Sequence, residues 1–188
     1  MPMPVTVRDT ELPGVQIVKT GLARDDRGFF SETYSEPMYA EAGFRERFVQ
    51  DNLSKSARGV LRGLHYQLDP HGMGKLVMPV RGAIFDVAVD LRRGSPTFGQ
   101  WYGRTLEAEG QEALWVPVGF AHGFLSLADE TLVLYKCSGV HTPDAERSLH
   151  YADPQVNITW PEEPQIVSEK DQAAPSLEEA EYNFTYVG

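Results

Sequence analysis

The sequence predicts a mainly β protein, folded as a sandwich or barrel with a few short helices. Short runs rich in β-branched and aromatic residues follow one another closely, and glycine and proline turns separate them. A series of short strands at this spacing is typical of β-sandwiches and barrels. Signals for helices are scarce along the chain.

The predicted strands follow the chain with few interruptions. In the run Gly82–Leu91, the residues alternate with period two, so that one face is apolar and the other is mixed. The clearest strand predictions, in chain order, are Val15–Lys19, Phe29–Tyr34, Phe48–Ser54, Gly59–Gln67, Lys75–Val80, Gly82–Leu91, Gln100–Leu106, Glu112–Val116, His122–Ser126 and Thr131–Cys137.

Two short helices and one loop complete the prediction. Ser35 is placed to cap a helix that runs through Phe44, with Pro37 in its first turn, where a missing N–H costs nothing. Ser176 and Glu179 have the spacing of a capping box, which predicts a short helix through Tyr182. The proline-rich segment 153–168 is expected to be an ordered loop over the sandwich, outside the sheets.

Composition indicates one domain spanning residues 1–188, with no repeat and no linker. The chain has 188 residues, of which 41% are hydrophobic and 23% are charged, as in ordinary globular proteins. Its formal net charge is -10, and it has no basic run, so general nucleic-acid binding is not expected. A bound phosphate group would need a few arginines placed locally against this overall charge.

The cellular setting expected from the sequence is the cytoplasm. The single cysteine, Cys137, excludes an intramolecular disulfide and lies in an apolar run, which favours a buried, inert thiol. The first residues lack the features of a signal peptide, and no apolar run approaches the length of a membrane span. We therefore expect no membrane partner.

The segment Arg62-Gly63-Leu64-His65-Tyr66-Gln67 places polar side chains inside an apolar strand, where burying them is costly without partners. His65 is either a hydrogen-bonded core histidine or a proton acceptor in a polar pocket. Simple alternation puts Arg62 on the face opposite His65. Either Arg62 faces solvent or a partner subunit, or Gly63 marks a bulge that redirects the strand.

Other candidate residues also have two interpretations. His122, flanked by small residues, is a structural histidine or a ligand contact. Lys75 is a solvated lysine at a strand start or a donor to a developing oxyanion. Tyr135 is a core tyrosine or a proton donor. Arg27, with a glutamate further along its strand, forms a surface ion pair or grips a phosphate group.

The remaining chemistry depends on Asp171 and on what is missing. Asp171 is a solvated loop charge unless a histidine lies across from it, in which case it fixes the tautomer of that histidine. The sequence has no His-x-His pair, the metal-binding signature common in small β-barrels, and no G-x-S-x-G motif, which argues against acyl transfer. A base, an acid and an oxyanion donor suit proton abstraction next to a carbonyl.

The order of motifs from about Gly14 to Leu177 resembles the dTDP-4-dehydrorhamnose 3,5-epimerase family, the RmlC-like sugar-nucleotide epimerases of the cupin superfamily. The motifs that carry the resemblance are Arg27-Gly-Phe-Phe-Ser-Glu32, Gln50-Asp-Asn52, Val60-Leu-Arg-Gly-Leu-His-Tyr-Gln67, Gly74-Lys-Leu-Val77, Phe85-Asp-Val-Ala-Val-Asp90, Ser95-Pro-Thr-Phe-Gly99, Gly119-Phe-Ala-His-Gly-Phe124, Leu134-Tyr-Lys136 and Ser168-Glu-Lys-Asp171.

This resemblance implies a jelly-roll core, a homodimer that exchanges an N-terminal strand, and an irregular or helical C-terminal tail. It implies a reaction on a dTDP-4-keto-6-deoxyhexose without metal or cofactor. His65 corresponds to the base, Asp171 to its partner, Tyr135 to the acid and Lys75 to the group that stabilises the enolate. The positions that correspond to substrate contacts are Arg27, Phe30, Glu32, Gln50, Asn52, Arg62, His122, His141, Glu146 and Lys170.

The chain departs from the family pattern at Val140 and His141, where the family usually carries two tyrosines, the second stacking on thymine. Relatives with similar motifs epimerise C3 alone or C5 alone, so the carbons inverted stay open. Two other classes remain as alternatives: a metal-dependent cupin with His65 and His122 as ligands, and a non-catalytic sugar-nucleotide-binding jelly roll.

Overall fold

Residues 4–187 are described by the computed structural model, and within them fourteen strands and two short α-helices form a two-layered sandwich. The first sheet contains β1 (Thr6–Asp9), β2 (Gln16–Lys19), β5 (Gln50–Ser56), β7 (Lys75–Arg81), β10 (Glu112–Val116) and β12 (Thr131–Cys137). The second contains β6 (Val60–Gln67), β8 (Ala83–Asp90), β9 (Trp101–Glu107), β11 (Phe120–Ser126), β13 (Glu146–Ser148) and β14 (Ile166–Val167). A separate hairpin consists of β3 (Ala23–Asp25) and β4 (Gly28–Phe30), and the helices are α1 (Glu36–Glu41) and α2 (Glu169–Gln172).

The order of strands is that of a jelly roll, because consecutive strands repeatedly cross from one sheet to the other. The first sheet runs β1-β2-β10-β7-β12-β5, and the second runs β13-β6-β11-β8-β9, with β14 parallel to β6. The fold class predicted from the sequence is therefore confirmed. No helix among residues 4–187 has the length and hydropathy of a membrane-spanning segment.

Three apolar layers hold the sandwich together. The central layer lies between the sheets and includes Val77, Ile84, Leu114 and Phe124. A second layer covers the outer face of the first sheet, where Tyr39 and Phe44 pack over Leu76, Met78 and Trp115. A third covers the second sheet, where the C-terminal segment packs Val156, Leu177 and Phe184 over Leu64, Val87 and Val89.

The alternation of β8 explains how one strand serves two of these layers. Val87 and Val89 point outward beneath the C-terminal segment, whereas Ile84 and Ala88 belong to the central layer. Asp86 shares the inward face by period two and is fully buried. The mixed face predicted from the sequence thus faces the interior of the sandwich.

Four details of the predicted elements were wrong. The strand predicted over Phe29–Tyr34 ends at Phe30, because β4 pairs only with β3 and Tyr34 turns away to pack on Tyr39. The first helix covers Glu36–Glu41, and Ser35 stands at its N-cap without a side-chain capping hydrogen bond.

The other two corrections concern the C-terminal part. The capping-box residues Ser176 and Glu179 bond to each other through their side chains, and no helix follows. Leu177 is buried and its N–H donates to Asp153, which holds the segment in a single turn. The loop 153–168 does contribute a sheet element, because Ile166 and Val167 form β14 against β6.

Candidate active site

A cavity of about 510 Å³ opens between the two sheets. Strands of both sheets and the segment around α2 form its walls, so it combines apolar walls with several ionisable groups. Its lining residues are Ser54, Val60, Leu61, Arg62, His65, Lys75, His122, Phe124, Tyr135, Ile166, Val167, Ser168, Lys170 and Asp171. The four predicted catalytic residues are therefore brought together in one cavity.

A β-bulge at Gly63 places Arg62 and His65 on the same face of β6. His65 pairs with His122 and Arg62 pairs with Phe124, so Gly63 and Leu64 together oppose Gly123. The extra residue shifts the alternation by one position, which the sequence prediction had left open. Gly63 has a φ of +126°, and a Cβ there would lie 2.5 Å from the Cα of Gly123, so only glycine fits.

His65 forms a dyad with Asp171. The His65 Nε2 and an Asp171 carboxylate oxygen are 2.6 Å apart, and the other carboxylate oxygen accepts the Gly63 N–H at 3.3 Å. Ser168 caps α2 by accepting the Asp171 N–H, which fixes the carboxylate on the cavity wall. Burial alone would raise the pKa of Asp171, but His65, the Gly63 N–H and Ser168 outweigh it and hold that pKa below its usual range.

His122 forms a second dyad, with Asp86, deeper in the sandwich. The His122 Nε2 and the Asp86 Oδ1 are 2.7 Å apart, and both side chains are almost completely buried. Burial raises the pKa of Asp86 and lowers the pKa of His122, because it disfavours the charged form of each. The two histidines therefore lie side by side across β6 and β11 in different electrostatic settings.

Tyr135 and Lys75 come from the first sheet, across the cavity from the histidines. The Tyr135 hydroxyl lies 3.0 Å from the Ser54 hydroxyl, and its ring centroid lies 6.3 Å from that of His122. Burial raises the pKa of Tyr135, so this group is a phenol rather than a phenolate at neutral pH. Burial lowers the pKa of Lys75, which lines the same cavity.

Arg62 stands at the edge of the cavity with no carboxylate in contact among the described residues. Its guanidinium donates to the Ser56 hydroxyl at 3.1 Å and to the Lys55 carbonyl at 3.0 Å, both of them neutral acceptors. Its positive charge is thus positioned but not neutralised by a neighbour. A guanidinium in this state is suited to an anionic group of a ligand.

Five of the remaining predicted contact residues form a connected cluster. Glu146 accepts from Lys170 at 2.9 Å and lies 3.6 Å from His141, whose backbone N–H donates to Gln50 at 3.0 Å. Gln50 in turn donates to Asn52 at 3.0 Å. Of this cluster, Lys170 lines the cavity itself.

Three predicted contact residues lie away from this cavity in the single chain. Arg27 and Phe30 belong to the exposed hairpin β3–β4, and Glu32 follows it on the surface. Arg27 forms an ion pair with Asp25, which is the simpler of the two interpretations given above. Phe30 is 67% exposed, so residues 4–187 leave most of this apolar side chain uncovered.

Several contributors to the site were not identified from the sequence. Ser54 and Ser56 continue the inward face of β5, after Gln50 and Asn52, and hold Tyr135 and Arg62. Period-two spacing from Asn52 would have pointed to both serines. Asp86 was visible as a residue, but its partner His122 lies 36 positions away along the chain. Ser168 caps Asp171 only three positions on, which its place at the start of α2 could have indicated.

The two histidines do not converge as metal ligands. Each uses its Nε2 in a hydrogen bond with a different carboxylate. Among residues 4–187, no group of three histidine, cysteine or acidic side chains is arranged to hold a metal ion. Cys137 is buried, and burial raises the pKa of its thiol, as expected for an inert cysteine.

The chain resembles known proteins over nearly its whole length. A family model described as dTDP-4-dehydrorhamnose 3,5-epimerase matches residues 9–179. The protein of that name from Shigella flexneri is 46% identical over 179 residues, covering 95% of this chain and 99% of the relative. The protein of the same name from Pseudomonas aeruginosa is 48% identical over 172 residues, covering 90% and 94%.

Solved structures give the same result. A dTDP-6-deoxy-D-glucose-3,5-epimerase from Legionella pneumophila, in complex with dTDP-4-keto-L-rhamnose, superposes with a TM-score of 0.87 at 46% identity, covering 93% of this chain and 94% of that one. A 3'-monoepimerase from Streptomyces bikiniensis, in complex with dTDP-quinovose, gives 0.85 at 35% identity, covering 91% and 87%.

Proposed function

This chain belongs to the dTDP-4-dehydrorhamnose 3,5-epimerase family of isomerases, and we propose that it inverts C3, C5 or both in a dTDP-4-keto-6-deoxyhexose through an enolate. The observation that carries the proposal is the placement of a histidine dyad and a tyrosine on opposite sheets of one cavity. His65 lies on β6 of the second sheet and Tyr135 on β12 of the first. A ring bound between them would have one proton-transfer group on each face.

In the proposed reaction, His65 is the base. The 4-keto group acidifies the protons on C3 and C5, and removing one of them leaves an enolate. Asp171, which is held ionised, accepts the Nε2–H of His65 and leaves Nδ1 bare to take the proton. A positioned general base contributes about 10²–10⁴ in rate.

Tyr135 completes the inversion in this scheme. After His65 has removed a proton from one face of the sugar, inversion needs a proton from the other face. The raised pKa of Tyr135 keeps its hydroxyl protonated, and the Ser54 hydroxyl fixes its direction. Lys75 lies on the same side of the cavity and would stabilise the negative oxygen of the enolate; one such donor is worth about 3–4 kcal/mol.

Arg62 and the connected cluster around Glu146 would bind the nucleotide part of the substrate. Arg62 carries a charge that no described carboxylate neutralises, which suits a diphosphate. Gln50, Asn52, His141, Glu146 and Lys170 are the further contacts to this part in the proposal, whereas His122, deeper in the cavity, would contact the sugar. His141 is about half exposed and would offer its imidazole face to the thymine ring of the nucleotide, at the position where the family usually carries a tyrosine.

We also propose that two copies of this single-domain chain form a cytoplasmic homodimer in which the hairpin β3–β4 reaches the partner's cavity. Within the part of the chain that the structure describes, the hairpin pairs with no other strand, and it exposes Phe29 and Phe30, which are 57% and 67% accessible. A second copy would bury both rings and bring Arg27, Phe30 and Glu32 to the ligand. Sedimentation measures the mass of the assembly in solution. Mixing Arg27→Ala protein with His65→Ala protein tests whether two copies share a pocket. Recovered activity supports shared pockets, and a monomer or an inactive mixture contradicts them.

Solvent exchange tests the proposed reaction. The purified protein is incubated with dTDP-4-keto-6-deoxyglucose in D₂O, and deuterium at C3 and C5 is followed by NMR. Exchange at both carbons indicates a 3,5-epimerase, and exchange at C3 alone indicates the monoepimerase alternative that the Streptomyces bikiniensis structure raises. His65→Ala should remove nearly all exchange. The absence of exchange at either carbon with the wild-type protein would refute the proposal for this substrate.

A further inference from the structure

Buried carboxylates of this fold differ sharply in the hydrogen-bond donors they receive. Asp90 accepts from Arg92, Ser95 and Thr97, and Asp171 accepts from His65 and from the backbone of Gly63. For both, burial would raise the pKa, but these donors outweigh it and hold the pKa below its usual range. Both are therefore ionised carboxylates with satisfied oxygens.

Asp86 is the exception. It is fully buried, and the one hydrogen-bond contact that its side chain makes among the described residues is the 2.7 Å contact with the His122 Nε2. The Oδ2 of Asp86 has no hydrogen-bond partner in that part of the chain. A buried ionised carboxylate with an unsatisfied oxygen is far more costly than a neutral acid whose carbonyl oxygen is unsatisfied.

We infer that Asp86 is a neutral carboxylic acid that donates its O–H to the Nε2 of His122. The ring proton of neutral His122 then resides on Nδ1, the nitrogen that does not contact Asp86. His65 and His122 therefore carry opposite tautomers. His65 has a bare Nδ1 and accepts a proton, whereas His122 presents an Nδ1–H and donates a hydrogen bond.

Burial favours a neutral pair, and the neighbouring groups act on its two members in different directions. Burial raises the pKa of Asp86 more than His122 and Lys75 lower it, whereas burial, Lys75 and His65 together lower the pKa of His122. His122 faces Asp86 from β11, Lys75 acts on it from β7, and Tyr135 lies on the same side from β12. His65, on β6, acts on His122 and becomes a cation whenever it accepts a proton. A charged His122 beside it would oppose that step, because like charges repel strongly in a buried site. A neutral His122 leaves the base free to work.

The ligand group that fits this arrangement is an oxygen that only accepts hydrogen bonds. His122 is 4% exposed and lines the cavity together with Lys75, so two donor groups face the same space. A sugar hydroxyl both donates and accepts, whereas a keto oxygen only accepts and gains charge in an enolate. This assignment rests on the proposed function: His122 is a second hydrogen-bond donor to the 4-keto oxygen, and Asp86 is the residue that positions His122.

Nitrogen NMR tests the tautomers without any substrate. The chain has five histidines, so ¹⁵N-labelled protein at pH 7 gives few ring signals, and His65→Gln and His122→Gln assign the two that matter. We expect Nδ1 of His122 to carry the proton and Nε2 to be bare, with the reverse in His65. A bare Nδ1, or protons on both nitrogens of His122, overturns the inference.

Matched amide substitutions give a second, independent readout. In Asp86→Asn the amide N–H replaces the O–H donor, so the tautomer persists and kcat changes by about tenfold or less. In Asp171→Asn the carboxylate that orients the base is lost, and kcat falls by about 10³–10⁴-fold. Asp86→Leu keeps the branched shape of the side chain but removes the donor, so the deuterium exchange rate should fall while circular dichroism still shows a folded protein. Equal losses in the two asparagine variants contradict a neutral Asp86.

These outcomes separate the inference from the proposed function. If the wild-type protein catalyses no exchange, the proposed function fails, yet the nitrogen signals still report the two tautomers. If exchange occurs and the His122 signal shows a bare Nδ1, the reaction stands and the assignment of Asp86 is wrong.

Discussion

Replacing Gly63 by alanine tests whether the bulge organises the cavity. An added Cβ would lie 2.5 Å from the Gly123 Cα and 2.8 Å from the His122 carbonyl oxygen, and both neighbours are backbone atoms that cannot rotate away. The φ of +126° is also unfavourable for a side chain. The backbone strain costs about 1–3 kcal/mol and the overpacking a similar amount, so we expect Gly63→Ala to lose about 2–6 kcal/mol of stability.

The same substitution should reduce activity beyond its effect on stability. Relief of the clash requires β6 and β11 to separate, which moves His65 and His122 apart. A displacement near 1 Å at the reacting groups costs about 10²-fold in rate. Urea unfolding measures the stability, and deuterium exchange into the substrate measures the rate.

Gly43→Ala is the matched control. Gly43 also has a positive φ, +91°, but a Cβ there meets nothing within 4 Å, so it tests the backbone cost without a clash. We expect a smaller loss of stability and an unchanged exchange rate. If Gly63→Ala is as stable and active as the wild type, the bulge is not what places Arg62 and His65 on one face.

Three further substitutions probe single contacts. Tyr135→Phe should reduce net epimerisation more than deuterium exchange, because the base still works; equal losses would exclude Tyr135 as the acid. Ser56→Ala removes one hydrogen bond from Arg62 and should raise KM about 3–10-fold with kcat nearly constant, and a fall in kcat alone would contradict a role in binding. Asp90→Asn should cost about 3–5 kcal/mol at pH 7, because the buried site loses the charge that pairs with the largely enclosed Arg92. Because the pKa of Asp90 is depressed in the folded state, its contribution to stability is present above its unfolded pKa near 3.9 and is lost as the pH falls through the folded pKa. The stability of the variant, measured by urea unfolding between pH 3 and 7, should therefore depend less on pH than that of the wild type. Parallel curves for the two proteins would contradict this prediction.

Local patterns predicted most of the sandwich because period-two alternation is a local property of a strand. The runs Glu112–Val116 and Thr131–Cys137 agree with the structure at both ends. The errors fall where distant contacts decide. Tyr34 leaves its predicted strand for Tyr39, and Leu177 ends its turn against Asp153. Such contacts have no signature in a short window of sequence.

The candidate site shows the same division. The individual residues could be selected because arginine, histidine and glutamine are unusual in an apolar strand. The pairings could not, because Asp171 lies 106 positions from His65 and reaches it only through the fold. The direction of Arg62 needed the register of β6 against β11, which alternation alone gives wrongly.

The acidic net charge of the chain is compatible with an anionic ligand because distance decides which charges act. At physiological ionic strength the screening length is about 8 Å, so acidic groups on remote surfaces contribute little at the cavity. Arg62 lies at the cavity edge with neutral partners, while Asp171 and Asp86 each have one carboxyl oxygen in a hydrogen bond with a histidine. The ionised carboxylate is the one beside the base, where an imidazolium must form. The neutral acid, Asp86, lies beside the donor His122, where a second negative charge would repel an enolate. The placement of charge, rather than its total of -10, therefore suits this cavity to a nucleotide-linked keto sugar.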